Sequence, residues 1–454
     1  MKTPWLPKLR KLFGRRILQT DPETLAAHAG DAWHASHPPE AVALPSTTAE
    51  VSRLLTFCHR HRIPVTARGA GRGYVGSCVP VRGGVALSLA RMNRIREISR
   101  EDFVAVVEPG VITGELQRRV EARGLFYPPD PASLNESTIG GNIATNAGGP
   151  RCVKYGVTRN YVMGLEIVLA DGTVVTTGGR THKNKLGFNL TDLFTGSEGM
   201  LGITTLATLR LIPLPPARAV VVGTFPHARA AAAAVQAVLA RGFLPSAMEV
   251  ADAFTLASAR KYSPGTPPGN AFLLLEVDGQ SASVRGESRD LAVILESCGA
   301  LRVFRATTTA AQDRLWGMRR DFSYSLKATG LHKINQDIVV PRGKLVQVFK
   351  LSEQLKKKYR VETSAFGHAG DGNIHVNLMF AKGEEHAPRV RLAQDELFRR
   401  VLEMGGTITG EHGTGLARKP WWNLATTAGS RKLHQLVKQA LDPLNILNPG
   451  KFLG

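Results

Sequence analysis

Acidic residues, aromatics, paired cysteines and long apolar runs are all in short supply in this chain, and each shortage excludes something. Across 454 residues, 37 Asp and Glu face 58 Lys and Arg, a formal net charge of +21. A field of that sign favours anionic partners: nucleic acid, acidic lipid or small carboxylates. Aromatics make up only 6% of the chain, and the basic residues, as in QRRVEARG and SEQLKKKYR, are scattered without rings between them. No nucleic-acid partner is therefore expected, because a dedicated surface needs clustered charge and stacking rings. Cys58, Cys78, Cys152 and Cys298 lie far apart and form no CxxC pair. Neither a disulfide framework nor a thiolate zinc site is indicated, and a reducing, intracellular setting fits best.

No stretch of about 18 apolar residues occurs, so nothing reads as spanning a bilayer. The opening MKTPWLPKLRKLFGRRILQTDPE is basic and amphipathic but lacks the continuous apolar region and small-residue cleavage site of a signal peptide. Trp5, Leu6, Leu9, Leu12 and Phe13 beside Lys8, Arg10, Lys11, Arg15 and Arg16 admit two readings. The segment rests on an anionic membrane surface, or it is a frayed, solvated tail. The expected location is cytoplasmic, peripheral to the inner face of the membrane under the first reading.

What is present points to a globular α/β or α+β protein: 46 glycines, 43% hydrophobic residues and a length suited to two or three domains of roughly 100–200 residues. From about residue 40 to 215 the text is strand-like and glycine-rich, and a boundary is expected at LIPLPPARA, near Pro213 to Ala219. Beyond it AVVVGTF, AFLLLEV and LRVFRAT read as strands. They alternate with helices near ARAAAAAVQAVLARG, SVRGESRDLAVILESCG and AAQDRLWGMRRDFSYSL, a mixed α+β domain with helices covering one sheet.

RGAGRGYVG contains a formal GxGxxG at Gly71, Gly73 and Gly76. IPVTAR before it reads as a strand, but SCVPVRGGVALSL after it alternates Val and Leu around Pro80, Gly83 and Gly84, which is β. The helix a dinucleotide fold requires is missing. What survives is a loop of glycine amides able to approach an anion. STIGGNIATNAGG and TGSEGMLGI have the same character, and three such loops beside strands suggest an extended ligand held by backbone N–H groups.

These loops, with PGVITGELQRRVEARGLFYPPDPAS and PRCVKYGVTRNYVMGLEIVLADGTVVTTGG, resemble the PCMH-type FAD-binding domain of the vanillyl-alcohol oxidase superfamily. The resemblance runs from about residue 40 to the end, and is strongest to the branch of glycolate oxidase FAD subunits, D-lactate dehydrogenases and D-2-hydroxyglutarate dehydrogenases. It implies an α+β fold: a PCMH-type two-subdomain FAD-binding domain at 37–215 behind a basic extension at 1–36. A ferredoxin-like α+β substrate or cap domain follows at 216–425, then a short C-terminal helical segment at 426–454 returning to the FAD domain.

By the same resemblance the pyrophosphate of FAD lies near Arg68, Gly69, Ala70, Gly71, Arg72, Gly73 and Gly76. Pro129, Asp130, Ser133, Thr138, Gly141, Asn142 and Asn146 run along the cofactor, Glu198, Gly202 and Ile203 stand near its adenosine end, and Asn448 and Lys451 approach the flavin or cap the fold. The family usually carries Thr or Ser where this chain has Arg72; a guanidinium there either pairs with phosphate or crowds the loop. No His or Cys stands where relatives tether flavin, so non-covalent FAD is expected.

GHAGDGNIH places His368 and His375 seven positions apart, and opposite parity would put them on opposite faces of a straight strand. A turn must intervene, and AGDGN supplies one, since Gly370 and Gly372 accept positive φ and Asp371 and Asn373 stabilise turns. TGEHGTG adds Glu411 and His412 in a second glycine-rich loop. His368, His375 and Glu411 make a three-ligand set with a position left open, as catalytic zinc sites do, and His412 is then free to act as a base. The resemblance agrees: the matching residues bind a divalent metal, usually zinc, and the residue matching His412 is the catalytic base. It further implies that Arg319 and Lys333 grip a carboxylate and that Asn377 touches flavin or substrate; Ser323, one helical turn beyond Arg319 on the same face, is expected to add a hydroxyl contact.

The expected activity is FAD-dependent oxidation of a D-2-hydroxy acid (D-lactate, D-2-hydroxyglutarate) or glycolate to the 2-oxo acid. Electrons pass to a quinone, an electron-transfer flavoprotein or an iron–sulfur subunit. The alternatives are another flavin oxidase of the superfamily and a non-catalytic flavin-binding subunit of a larger oxidase.

Overall fold

The computed structural model describes residues 4–262 and 266–453. The chain divides into two compact units, one built from residues 1–148, 157–214 and 411–454, the other from 149–156 and 215–410. The cut between Leu214 and Pro215 falls inside the proline cluster, where a chain without amide donors cannot continue a ladder. The return to the first unit begins at Glu411.

The first unit holds two sheets. In the smaller, Ala41–Ala43, Val85–Ser88 and Val65–Arg68 run parallel in that order, with Leu18–Gln19 antiparallel on the outer edge. Its strands are largely buried, as expected where both faces are covered, and helix Thr48–His61 buries Val51, Leu54, Leu55 and Cys58. The larger sheet is a five-stranded antiparallel array, Ile95–Ser99, Val104–Val107, Ile203–Arg210, Val162–Val168 and Val174–Gly178. Ile203–Arg210 alternates buried and less buried residues along most of its length, the period of a half-covered strand. No helix follows the loop after Arg68 among the described residues, and the next regular element is the strand Val85–Ser88.

The N-terminal segment, whose first three residues lie outside the described ones, folds as helix Leu6–Ile17 with a kink at Gly14. Leu9, Phe13 and Ile17 enter the same core as Leu54, Val65 and Leu87, with Trp5 and Leu6 packed against it. The frayed tail is thereby corrected: three apolar side chains on one helical face find a core close by in sequence, and their burial outweighs the entropy of fraying. The face that would meet a membrane is turned inward.

The second unit is one seven-stranded antiparallel sheet in the order Arg302–Ala306, Ala217–Phe225, Ala271–Gly279, Ala247–Ala251, Glu362–His368, Asn373–Phe380, His332–Val339. Helices Ala253–Tyr262 and Thr309–Lys327 cover one face, where Leu256, Ala259, Trp316 and Phe322 meet Val220, Val222, Phe272 and Leu274. Helices lie on the other face too, Ser281–Ser297 on Ala217–Phe225 and Ala228–Ala240 on Ala271–Gly279. The elements expected from residue 219 to 326 are all present, and the sequence reading passed over two more between them, Ala247–Ala251 and Ala253–Tyr262.

Leu9→Ala should cost about 2–5 kcal/mol, whereas Leu12→Ser, at an exposed position of the same helix, should stay within about 0.5 kcal/mol. Thermal melts followed by circular dichroism check both, and an unchanged melt for Leu9→Ala would mean that the helix is not docked.

Candidate active site

Strands Glu362–His368 and Asn373–Phe380 form an antiparallel hairpin in which Phe366 stands opposite His375 and His368 opposite Asn373. The four-residue reversal between them resolves the parity conflict. His368 shares a face with Phe366, and His375 faces Phe366 across the ladder, so the two imidazoles are diagonal neighbours on one face. Their ring centroids are 5.5 Å apart, at 83° to each other. The turn is tight enough to need its glycines: Gly372 has φ +87°, and a Cβ there would lie 2.1 Å from the Val340 carbonyl oxygen.

The neighbouring strands carry this face outward on both sides. Glu249 stands opposite His368, and Asp337 and Asn335 stand opposite His375 and Asn377. The stripe Glu249, His368, His375, Asn377, Asn335 and Asp337 is thus a row of polar groups on the sheet face that otherwise packs against apolar helices. Glu249 has no solvent exposure. Its Oε1 lies 2.7 Å from His368 Nδ1, and its Oε2 accepts from Arg319 Nε at 2.6 Å and lies 2.5 Å from Nη2. Burial pushes the carboxyl pKa up, but Arg319 and then His368 more than offset this and hold Glu249 below its ordinary value. A carboxylate can only accept, so His368 carries its proton on Nδ1 and turns Nε2 away.

The same pairing corrects part of the expectation for Arg319. Its Nε and Nη2 are spent on Glu249, because a buried carboxylate without a cation is too costly. Nη1 donates to no protein acceptor among the described residues. The guanidinium also stacks 5.0 Å from the centre of the Phe366 ring and 5.5 Å from that of Phe322.

Asp337, likewise without exposure, accepts from Asn373 Nδ2 at 2.7 Å, from Gly410 N at 2.8 Å and from Thr409 Oγ1 at 3.2 Å, and lies 3.8 Å from His375 Nδ1. It fastens the hairpin turn to the loop that ends at Gly410, the residue before Glu411. Lys333 donates to Ser323 Oγ at 2.8 Å; burial, then the charge of Lys327, lowers its pKa to about 8. Asn377 is buried and accepts from Asn335 Nδ2 at 3.0 Å. In the first unit His412 lies 5.4 Å from the Tyr74 ring, centre to centre, and its Nε2 is 3.9 Å from Glu411 Oε1.

The glycine loops of the first unit were tested against the cofactor they suggest. Successive amides of Gly69, Ala70, Gly71, Arg72 and Gly73 have no protein acceptor among the described residues, which is what an anion held by a backbone nest requires. The loop lies flush against the next, since a Cβ on Gly69 would sit 2.5 Å from Thr138 Oγ1. Thr138 accepts from Gly141 N at 3.3 Å. Asn448 donates to the carbonyls of Ser77 and Glu198 at 2.9 and 2.7 Å, while its Oδ1 is buried without a donor. Bare donors for a pyrophosphate and a bare buried acceptor fit FAD.

Several of the residues expected along the cofactor are also engaged within the protein. Arg68 donates to the carbonyls of Gly30 and Ala27, and Gly76 N donates to Asp31. Arg72 is paired with Glu136 at the surface, so its guanidinium points at a carboxylate. Asn142 donates to Thr113 Oγ1, and Asn146, at φ +52°, accepts from Arg159 N. Glu198 accepts from Ser77 Oγ and the amides of Thr414 and Gly415; burial raises its pKa, and these bonds offset part of the rise. Ile203 belongs to the apolar core, and a Cβ on Gly202 would lie 2.6 Å from Ile167. Pro129 and Asp130 are buried, and Ser133 half-buried, in the irregular stretch between Phe126 and Ile139. Lys451 Nζ donates to the Val79 carbonyl at 2.6 Å.

Sequence reasoning missed Glu249 and Asp337. A single acid inside an apolar strand, as in SAMEVAD, is the signal that could have found Glu249.

Residues 39–178 match the family described as "FAD binding domain", and residues 214–452 match "FAD linked oxidases, C-terminal domain". The chain is 40% identical over 417 residues to the glycolate oxidase subunit GlcD of Bacillus subtilis, covering 91% of this chain and 89% of that one. It is 33% identical over 463 residues to D-lactate dehydrogenase of Anaerostipes hadrus, covering 98% and 96%. Among solved structures, p-cresol methylhydroxylase superposes with a TM-score of 0.81 over 99% of this chain and 96% of that one at 20% identity, a likeness of fold. Alkyldihydroxyacetonephosphate synthase does so with 0.78, covering 99% and 86%. With both halves of the sequence matched, the chain belongs to the FAD-linked oxidases.

Proposed function

We propose that the protein oxidises a D-2-hydroxy acid or glycolate to the 2-oxo acid, in the cytoplasm and in contact with the inner face of a membrane. The observation that carries the reading is the polar stripe, in which two imidazoles share one sheet face with buried carboxylates behind them. The names of the relatives, glycolate oxidase subunit and D-lactate dehydrogenase, point to the same substrates.

FAD, when bound, supplies a two-electron acceptor for the hydride from the substrate Cα. Arg319 Nη1 and the Lys333 ammonium hold the substrate carboxylate, with Ser323 orienting Lys333 and Asn377 bordering the substrate or flavin. His412 takes the hydroxyl proton as the carbonyl forms, a role suited to an imidazole near neutral pH. His368 and His375, whose rings are 5.5 Å apart, would hold a divalent metal such as zinc, which would supply Lewis acidity there. The electrons leave to a quinone, an electron-transfer flavoprotein or an iron–sulfur subunit.

Anaerobic addition of D-lactate, D-2-hydroxyglutarate and glycolate to the purified flavoprotein should bleach the flavin with at least one of them, and silence with all three would refute the reading. His412→Ala should lower the rate of bleaching about 10²–10⁴-fold with flavin content unchanged. Because Lys333 is cationic only below about pH 8, KM should climb as pH rises through 8, and Lys333→Arg, which stays charged, should flatten the climb. His368→Ala should lower divalent-metal affinity by more than the roughly 10–100-fold that loss of an outer partner costs, read by metal analysis after dialysis.

A further inference from the structure

Between two firmly held ends, residues 181–190 are exposed without interruption. At the entry, Arg180 forks onto Glu97 at 2.7 Å through both terminal nitrogens and reaches Asp102 at 2.6 Å. At the exit, Thr191 and Phe194 are buried. The span between is ordered by short-range bonds: Asn184 Oδ1 accepts from Leu186 N at 3.0 Å, Phe188 O accepts from Leu190 N at 2.8 Å, and Asn189 caps the next helix through Asp192 N. Held out by this scaffold, Leu186 and Phe188 are each 91% exposed, and Leu190 and Leu193 continue the apolar surface at 45% and 38%. An exposed Leu or Phe is common singly, but two nearly naked bulky side chains flanking one glycine on a pinned loop are not.

Charge decides what meets them. Arg180 is paired with Glu97 and Asp102 at the base of the loop, and Asp192 is held by Asn189, while Lys183 and Lys185 stand beside the apolar tip with no ion pair among the described residues. A second copy would set these lysines against their own equivalents on chains of net charge +21, so self-association is disfavoured. Apolar side chains that insert, with lysines at the height of the headgroups, match an anionic bilayer. We propose that Thr181–Leu193 is a membrane-docking loop that places Leu186 and Phe188 into the interface of an anionic lipid surface, with Lys183 and Lys185 on the headgroups. The proposal rests on the membrane contact put forward above for its setting and assigns that contact to this loop in place of the N-terminal helix. It uses no part of the substrate assignment.

The test is sedimentation of the flavin-loaded protein with phosphatidylcholine–phosphatidylglycerol vesicles and with pure phosphatidylcholine vesicles. The expected result is binding to the first that weakens with salt and little binding to the second. Leu186→Ser with Phe188→Ser should lower partitioning at least about tenfold, and Lys183→Gln with Lys185→Gln about twentyfold. Melting temperatures and turnover with a soluble acceptor should be unchanged in both, because these side chains touch no core. The proposal is overturned if the parent ignores anionic vesicles, if the serine variant binds them as well as the parent, or if the serine substitutions turn a dimer into a monomer. A failure in vesicle binding with substrate bleaching intact sinks the loop alone, and loss of bleaching with binding intact sinks the substrate reading alone.

Discussion

The second unit is organised around a charge that cannot reach water. Glu249 sits in a strand whose five residues are all buried, and its ionised form survives only because Arg319 and His368 close on it from a covering helix and the neighbouring strand. Breaking such a buried pair from one side costs about 3–5 kcal/mol, so the triad fixes how helix Thr309–Lys327 lies on the sheet as firmly as the apolar contacts of Trp316 and Phe322 do. It also makes a chemical choice. With Nδ1 committed to the carboxylate, His368 has one nitrogen left for a ligand, and its ring plane is set before any ligand arrives.

Asp337 imposes a matching constraint three strands away. By taking the amide of Gly410, the hydroxyl of Thr409 and the side chain of Asn373 together, it holds the hairpin turn and the loop leading to Glu411 as one piece. A β-hairpin alone would fix His368 relative to His375. The carboxylates on either side make that pair part of a wider polar row, and the cost of burying so many polar groups is met because nearly every one has a partner.

Much of this was legible in the sequence, for reasons that can be named. Alternating apolar runs and the proline cluster gave the strands and the cut near Pro215, and the parity of His368 and His375 with glycines between them required the turn that is found. The resemblance of the glycine loops gave the cofactor. Glu249 escaped because a lone acid in the strand AMEVA has no motif, and its role exists only through strand pairing with residue 368 and a helix 70 positions away. The N-terminal helix was misread because amphipathicity shows that a face is apolar without saying what it meets. Arg319 was assigned wholly to a ligand carboxylate because sequence does not show that a buried carboxylate has already taken two of its nitrogens.

That last point extends to the first unit. Arg68, Glu198 and Lys451, charged side chains of the glycine loops and the C-terminal segment, bond carbonyls, amides or a hydroxyl of the protein. What remains for an anionic cofactor is backbone: five successive amides from Gly69 to Gly73. Backbone donors bring no counter-charge whose protonation could vary, and they are indifferent to the side chain that follows them. At Arg72 side chain and backbone part company. Its side chain leaves the loop for Glu136, while its amide stays in the row that the loop presents.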